Sequence, residues 1–311
     1  MPHAVPQLQR VDRSDPENII QAIIDDGCCI IKNFTDKETV DAVNGDARPY
    51  LDADKPWKGD LFPPETRRCT NLGGRSVTAR EKWIIDPLIR QLTETFVDKT
   101  THNYYGLTKH TYTSEAIVSI ALTMEIGPGA KAQRLHRDDK NYHIDHKDQT
   151  ATGYRADSDV ELAFLIPGVK TTFENGATQA IPGSHLWGAS RAPKIEEVSY
   201  AEMDVGDAFV MLGGTYHAGG ANITQNEKRT LHGLFYIRGY MRQEENIYLV
   251  NKPEDVLTWS PEAQKVLGYS VSSPNIGFAE FLRPIDYLKG GAAGDFIGDL
   301  DPSQEPAKSE A

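Results

Sequence analysis

Apolar positions in the first part of the chain follow the three- and four-residue spacing of an amphipathic helix. Residues 15–27 (DPENIIQAIIDDG) combine this spacing with an Asp-Pro start and a terminal glycine, which together predict a short helix. Residues 28–34 (CCIIKNF) form a continuous apolar run instead, which predicts a buried strand.

Two further segments have helical spacing. Residues 35–51 predict a second helix, with Thr35 as its N-cap and Glu38 three residues later, as in a capping box. Residues 79–100 predict one or two helical segments that are interrupted near Pro87. The first hundred residues are therefore expected to be largely helical.

The pattern changes after residue 110 to runs that are rich in β-branched and aromatic residues. Strands are predicted in residues 115–126 (EAIVSIALTMEI), 159–167 (DVELAFLIP), 207–214 (DAFVMLGG) and 230–240 (TLHGLFYIRGY), each bounded by glycine, asparagine or proline. Their irregular spacing and long connections favour a β-barrel or jelly roll with flanking helices over a parallel α/β sheet.

The same pattern predicts how the chain is organised. One domain is expected over residues 1–288, with a mainly helical part at about 15–105 and a jelly-roll core at about 112–245. A covering segment is expected at about 246–288, followed by a flexible, small and acidic tail at 289–311.

Charge and composition narrow the function. The chain of 311 residues has 33 Lys and Arg against 45 Asp and Glu, a net charge of -12. This excess argues against nucleic acid or an anionic membrane as the main partner, because both attract basic surfaces. Three cysteines (Cys28, Cys29, Cys69), two of them adjacent, predict buried thiols rather than a disulfide framework. No secretory leader or run of 18 apolar residues is present, so a cytoplasmic protein is expected.

The candidate chemistry lies in residues 132–146 (AQRLHRDDKNYHIDH). His136 and Asp138 are two residues apart, and on a strand they would point to the same face about 6.5–7 Å apart. His217, which follows a predicted strand, is the best third ligand. Two histidines and one carboxylate form the facial triad of non-haem Fe(II) oxygenases, which leaves positions open for a co-substrate and oxygen.

A basic side chain supports the same reading. Arg229 follows His217 by twelve residues, at the start of the next strand. A guanidinium there would bind the distal carboxylate of 2-oxoglutarate in a bidentate geometry, which Arg provides better than Lys.

Other histidines and aspartates are also candidate ligands, because an HxD pair on its own is more often solvated than metal-binding. His143 and His146, with Asp145 between them, form an HxxH pair that could be a ligand set. Asp139 is expected to be solvated or to cap a loop. His185 and His232 are expected to be a structural hydrogen-bonding residue and a wall residue, respectively.

Four motifs in this order resemble the phytanoyl-CoA dioxygenase-like Fe(II)/2-oxoglutarate oxygenases, and most closely their fungal branch that tailors natural products. The motifs are AQRLHRDD (132–139), FENGATQAIPGSHLW (173–187), MDVGDAFVMLGGTYHAGGANIT (203–224) and KRT (228–230), with DGCCIIKNF near the start. The resemblance runs from about residue 6 to residue 288. It implies a double-stranded β-helix, or jelly-roll, fold.

The resemblance also implies roles for individual residues. His136, Asp138 and His217 match the iron ligands. Arg229 matches the arginine that binds 2-oxoglutarate, and Gln133 and Thr178 match polar residues that contact the same co-substrate. The implied cofactors are Fe(II), 2-oxoglutarate and O2.

Substrate contacts are implied only by region. In this family they lie on an N-terminal loop, here about 55–72, on the loop after the aspartate ligand, here about 139–155, and in the C-terminal region. The candidates in these loops are Trp57, Phe62, Tyr142 and Tyr154. A tyrosine could donate a hydrogen atom in radical chemistry, but apolar packing against a terpenoid skeleton is the plainer interpretation.

The expected activity is oxidation of a polycyclic fungal secondary metabolite, such as a meroterpenoid or a related terpenoid or alkaloid, that begins with hydrogen abstraction. Hydroxylation, desaturation or rearrangement is expected in preference to endoperoxide formation. The alternatives are an acyl-CoA or lipid hydroxylase and a non-catalytic jelly-roll binding protein. The fungal branch also implies a homodimer, with residues 275–288 as a possible covering segment.

Overall fold

The computed structural model describes residues 7–59 and 62–291. Within them the strands are β1 (Arg10–Asp12), β2 (Cys28–Lys32), β3 (Thr66–Cys69), β4 (Lys99–Tyr105), β5 (Thr108–Ser114), β6 (Ala116–Ile126), β7 (Glu161–Pro167), β8 (Thr178–Ala180), β9 (Ser199–Ala201), β10 (Ala208–Leu212), β11 (His217–Ala218) and β12 (Arg229–Arg238). The helices are α1 (Pro16–Asp26), α2 (Lys37–Ala53), α3 (Leu72–Arg75), α4 (Pro87–Phe96), α5 (Ile247–Val250), α6 (Pro253–Val256), α7 (Pro261–Val266) and α8 (Pro284–Leu288).

Two sheets form the core. The larger has seven strands in the order β1-β2-β10-β7-β12-β6-β3, and the smaller has three in the order β11-β8-β9. Every neighbouring pair in the larger sheet is antiparallel except β1 and β2. Two packed sheets with this crossing strand order, and helices on the outside of one, confirm the predicted jelly roll.

Strand alternation explains why the core strands are apolar at almost every position. On β10, Phe209 and Met211 pack in one cluster with Ala180 and Ala201 of the small sheet. The intervening residue Val210 packs instead in the larger cluster that contains the helices α1, α2 and α4. Successive side chains point to opposite faces, and here both faces are buried.

The first two helices confirm the helical spacing, with one correction. Helix α1 has Asp15 as its N-cap and Gly27, at φ 74°, as its C-cap. Helix α2 is capped by Asp36, whose carboxylate accepts a hydrogen bond from the Thr39 amide at 2.7 Å. The predicted cap Thr35 is therefore wrong. Its hydroxyl accepts a hydrogen bond from the Trp83 indole instead.

The expectation of a helical region up to residue 105 is also wrong. β4 and β5 pair as an antiparallel hairpin from Lys99↔Ser114 to Tyr105↔Thr108. Most of the residues of this hairpin are exposed, so it lacks the apolar periodicity that reveals a buried strand. By contrast, Pro87 begins α4, as the predicted interruption requires.

The C-terminal part of the described chain, residues 246–291, contains the short helices α5 to α8. The predicted tail at 289–311 lies outside the described residues from 292 onward. All three cysteines are buried free thiols, as expected. Across residues 7–59 and 62–291, no helix is both long enough and apolar enough to cross a membrane.

Candidate functional site

His136, Asp138 and His217 meet between the two sheets. His136 and His217 face each other across an antiparallel bridge, and each amide donates to the other's carbonyl at 2.9 Å. Asp138 does not continue this strand as predicted. It precedes a 3-10 turn (Asp139–Tyr142), and its amide donates to the Gly213 carbonyl at 3.0 Å. The chain therefore turns at Asp138, and this turn brings the carboxylate back beside the imidazoles.

The three side chains converge as metal ligands do. Nε2 of His136 lies 3.4 Å from one carboxylate oxygen of Asp138, and Nε2 of His217 lies 3.2 Å from the other. Among the described residues these three form a group whose ligand atoms all lie within 4.8 Å of one another. The donor set of two imidazoles and one carboxylate is that of the non-haem iron facial triad.

Backbone carbonyls set the orientation of both imidazoles. Nδ1 of His136 lies 2.7 Å from the Arg134 carbonyl, and Nδ1 of His217 lies 3.1 Å from the Thr215 carbonyl. Because a carbonyl only accepts, Nδ1 carries a proton in each ring, and Nε2, which faces the carboxylate, is the nitrogen that lacks a proton when the ring is neutral. This is the tautomer that a metal bound at Nε2 requires.

The electrostatics of the triad favour a cation. Burial raises the pKa of Asp138, but His217 and the hydrogen bonds from both histidines outweigh burial, so the pKa lies well below its ordinary value. Burial lowers the pKa of His217, and the Asp138 charge outweighs this effect and raises it. Asp138 is therefore a carboxylate at neutral pH, and a metal ion and a proton compete for the His217 lone pair.

Arg229 lies in the same cavity as the triad. Its residue is only 2% exposed, and burial alone lowers the pKa of the guanidinium to about 10. Nε and Nη1 are buried and find no hydrogen-bond acceptor among the described residues. A buried cation without an anionic partner is costly, so these donors fit a bound carboxylate.

The other two residues expected at the co-substrate also line this cavity. Gln133 accepts a hydrogen bond from the Gly219 amide at 2.8 Å, and Thr178 is buried on β8. A Cβ atom on Gly219 would lie 3.0 Å from Gln133 Oε1, and one on Gly220 would lie 2.4 Å from the Ala177 carbonyl. The two glycines after His217 therefore allow a close approach of the backbone.

The cavity has a volume of about 980 Å³ and contains the triad, Arg229, Gln133 and Thr178. Trp57 and Phe62, both predicted substrate contacts, line it. Their rings meet edge to face, with centroids 5.9 Å apart. Apolar side chains complete the wall, among them Ile120, Leu122, Met124, Leu231 and Phe235.

The other two predicted substrate contacts, Tyr142 and Tyr154, are not among the described residues that line this cavity. The Tyr142 hydroxyl lies 2.6 Å from Ser119 Oγ. Tyr154 packs between Phe96 and His185, with ring centroids 6.1 and 5.8 Å away. Burial raises the pKa of both phenols. Proximity in sequence to Asp138 was the only signal for Tyr142, and the 3-10 turn carries its ring away from the cavity.

Three of the other candidate histidines have structural partners. His146 Nε2 lies 2.9 Å from the buried carboxylate of Asp139, so the expectation that Asp139 is solvated is wrong. His185 Nε2 bonds to the Ile24 carbonyl, as expected for a structural residue. The ring of His232 on β12 bonds to Thr123 and Asn44, as expected for a residue in the strand wall. His143 is exposed. One of the three histidines in residues 132–146 belongs to the triad.

Sequence reasoning missed several polar residues that line the cavity. They are Thr66, Arg68, Arg75, Lys131 and Glu244. The available signal was the alternation in TRRC, because Thr66 and Arg68 fall on the same face of β3. That strand is only four residues long and was not predicted.

Comparison with known proteins gives the family. The phytanoyl-CoA dioxygenase (PhyH) model matches residues 24–230. The dioxygenase peniF of Penicillium patulum is 32% identical over 273 residues, which cover 88% of each chain. The dioxygenase swnH1 of Metarhizium robertsii is 34% identical over 285 residues, which cover 90% of this chain and 92% of the relative.

Solved structures give the same fold at lower identity. The non-heme alpha-ketoglutarate-dependent epimerase SnoN from nogalamycin biosynthesis superposes with a TM-score of 0.54 at 16% identity, over 73% of this chain and 82% of that chain. HygX from Streptomyces hygroscopicus, solved with nickel and 2-oxoglutarate bound, gives a TM-score of 0.53 at 14% identity, over 73% and 88%.

The match to the family model and the relatives above 30% identity confirm the resemblance seen in the motifs. They also confirm the predicted enzyme class, an oxidoreductase that uses iron and 2-oxoglutarate, and the triad has the donor set that is typical of such an iron site. The chain is a dioxygenase that belongs to the phytanoyl-CoA dioxygenase family.

Proposed function

We propose that this dioxygenase oxidises a polycyclic secondary metabolite, a meroterpenoid or a related terpenoid or alkaloid, by abstracting a hydrogen atom from it. One observation carries the proposal. A single cavity contains the triad, the Arg229 guanidinium, whose Nε and Nη1 have no acceptor among the described residues, and a wall of apolar and aromatic side chains. The fungal relatives named as dioxygenases support the same reading.

His136, Asp138 and His217 are the proposed iron ligands. Bound Fe(II) supplies the oxidising chemistry with O2 and 2-oxoglutarate. The protein holds the two imidazoles in one tautomer through the carbonyls of Arg134 and Thr215. Because those carbonyls belong to the backbone beside the bridge between the histidines, the ligands are placed before the metal arrives.

Arg229 is the proposed anchor for the distal carboxylate of 2-oxoglutarate, with Gln133 and Thr178 as further contacts. Its unpartnered donors would gain acceptors on binding, and the buried position excludes water from the ion pair. Lys228 beside it does not serve this purpose, because it is exposed and pairs with Glu125 at 2.9 Å.

Trp57 and Phe62 are the proposed apolar contacts of the substrate. Both line the cavity, and Trp57 is 42% exposed. The proposal is not extended to Tyr142 and Tyr154, because neither ring lines the cavity. The Tyr142 hydroxyl is engaged with Ser119, which favours hydroxylation or desaturation over an endoperoxide that needs a nearby hydrogen donor.

We also propose a homodimer. Ile276, Phe278 and Phe281 are exposed apolar residues in the segment expected to cover a neighbouring subunit. A dimer mass in light scattering at micromolar concentration is the expected result, and a monomer mass would contradict this part of the proposal.

Turnover with candidate substrates tests the function. The enzyme is incubated with Fe(II), ascorbate, 2-oxoglutarate and ¹⁸O₂, together with polycyclic terpenoids and alkaloids or, in parallel, with phytanoyl-CoA. The proposal expects succinate formation above the substrate-free rate with at least one polycyclic compound, and at most one labelled oxygen in its product. Stimulation by phytanoyl-CoA alone would identify an acyl-CoA hydroxylase. Two labelled atoms joined in one product would show an endoperoxidase, and no succinate under any condition would indicate a non-catalytic protein.

A further inference from the structure

The edge strand β3 turns one face toward the cavity. Thr66 and Arg68 line the cavity, whereas Arg67 between them does not. The Arg67 guanidinium donates instead to the carbonyls of Pro64 and Thr66. This is the ordinary two-residue alternation of a strand, and it places two polar side chains on the substrate side of the cavity wall.

Arg68 is largely buried, and its hydrogen-bonding capacity is only partly satisfied. Its side chain is 10% exposed, Nε donates to Asp54 at 2.9 Å, and Nη2 donates to the Lys55 carbonyl at 2.7 Å. Nη1 is buried and finds no acceptor among the described residues. A charged donor left without an acceptor in a buried position is unfavourable, so this N–H group is available to a ligand.

A second donor lies on the same face. The hydroxyl of Thr66 is also buried and has no partner among residues 7–59 and 62–291. Thr66 and Arg68 are two residues apart on one strand, so both donors face the same part of the cavity.

Aromatic rings hold the Arg68 guanidinium in place. Its central carbon lies 4.9 Å from the centroid of the Trp57 ring and 5.5 Å from that of Phe62. These cation–π contacts and the Asp54 ion pair fix the orientation of Nη1 before a ligand binds. The neighbouring surface is apolar, because Met124 pairs with Arg68 on one side and with Leu231 on the other, and all three residues line the cavity.

We propose that Arg68, with Thr66, forms a subsite that binds a neutral oxygen, such as a ketone or lactone carbonyl, on an otherwise apolar ring substrate. The inference rests on the function proposed above and specifies its substrate. Asp54 already neutralises Arg68 at 2.8 Å. A carboxylate ligand would therefore meet the negative charge of Asp54, whereas a carbonyl oxygen needs only the free N–H and O–H groups.

Equilibrium dialysis with a matched pair of ring compounds tests the subsite. The probes are 9-fluorenone and fluorene, which share a flat tricyclic skeleton and differ only in one carbonyl group. Each is dialysed anaerobically against protein loaded with Fe(II) and 2-oxoglutarate. The wild type is expected to bind fluorenone about tenfold more tightly than fluorene, as one hydrogen bond from a charged donor provides.

Variants test whether the preference for fluorenone comes from Arg68. Arg68→Met should bring the ratio of the two dissociation constants close to one, and the matched control Arg67→Met should leave it unchanged. If Arg68→Met does not fold, as judged by circular dichroism, Thr66→Val decides the question. A reduced ratio in Thr66→Val supports the subsite, and an unchanged ratio overturns it.

Three other results would overturn the inference: equal binding of both probes to the wild type, no binding of either probe, or a ratio that survives in Arg68→Met. The visible charge-transfer band of the Fe(II)–2-oxoglutarate complex is recorded in the same samples. An intact band with no fluorenone preference contradicts only the subsite, whereas a missing band contradicts the proposed function itself.

Discussion

At its buried end the cavity is built from paired strands, and at its exposed end from the loop that precedes β3. His217 and Arg229 lie on β11 and β12, and their neighbours in the sheets fix them. Trp57 and Phe62 lie in the loop between α2 and β3. This difference indicates that a rigid scaffold can hold the residues for the chemistry common to a family. Substrate specificity is then left to segments that tolerate change.

The largest expected effect comes from the triad. Asp138→Ala and His217→Ala should each lower the rate of succinate formation by more than about 100-fold. Loss of a residue that only hydrogen-bonds to a metal ligand already costs up to about that factor. Bound iron, measured after gel filtration, should fall in parallel.

His143→Ala is the control for these variants, because His143 is an exposed histidine on the turn that follows Asp138. It should keep wild-type iron content. Loss of iron in His143→Ala with retention in His217→Ala would refute the ligand assignment.

Arg229→Met should raise the Michaelis constant for 2-oxoglutarate. Removal of one partner from a buried charge pair costs about 2–5 kcal/mol, which corresponds to roughly a 30-fold increase or more. Lys228→Met is the matched control, since Lys228 is exposed and paired with Glu125. Equal Michaelis constants in the two variants would place the anchor elsewhere.

Gly220→Ala tests the rigidity of the buried end. The added Cβ would lie 2.4 Å from the Ala177 carbonyl, so the free energy of unfolding should fall by about 1–3 kcal/mol. Gly45→Ala in α2, where nothing lies within 4 Å of the added atom, should instead raise it by about 0.4–1 kcal/mol. Chemical denaturation measures both, and equal stabilities would argue against a tightly constrained backbone after His217.

Trp57→Ala should have the smallest effect on the protein and a selective effect on specificity. Trp57 is half-exposed, so the free energy of unfolding should change by no more than about 0.5 kcal/mol. The Michaelis constant for 2-oxoglutarate should remain at the wild-type value, while that for an accepted polycyclic substrate should rise. A parallel change in both constants would mean that the two ends of the cavity are not independent.

The buried end was also the part that the sequence predicted best. β6, β7, β10 and β12 were predicted because their apolar runs are covered on both faces. The HxD pair and His217 follow such strands, and Arg229 begins one. Their places in the fold could therefore be predicted. The family resemblance added Gln133 and Thr178, which spacing alone does not reveal.

The exposed end and the adjoining strand β3 were harder to predict for physical reasons. The role of Arg68 depends on Asp54 and on two aromatic rings in a loop, and no local pattern encodes these contacts. The turn at Asp138 results from a backbone bond to Gly213, which is distant in sequence. The hairpin β4–β5 lacks a buried face, so it carries no periodic signal.

The most direct test is whether the triad and Arg229 act as one site. Under anaerobic conditions, Fe(II) and then 2-oxoglutarate are added to the wild type, His217→Ala and Arg229→Met, and the visible charge-transfer band is recorded. We predict a band that saturates at one 2-oxoglutarate per wild-type chain, no band in His217→Ala, and a band in Arg229→Met only at much higher 2-oxoglutarate concentration. No band in the wild type, or an equal band in all three proteins, would contradict the account.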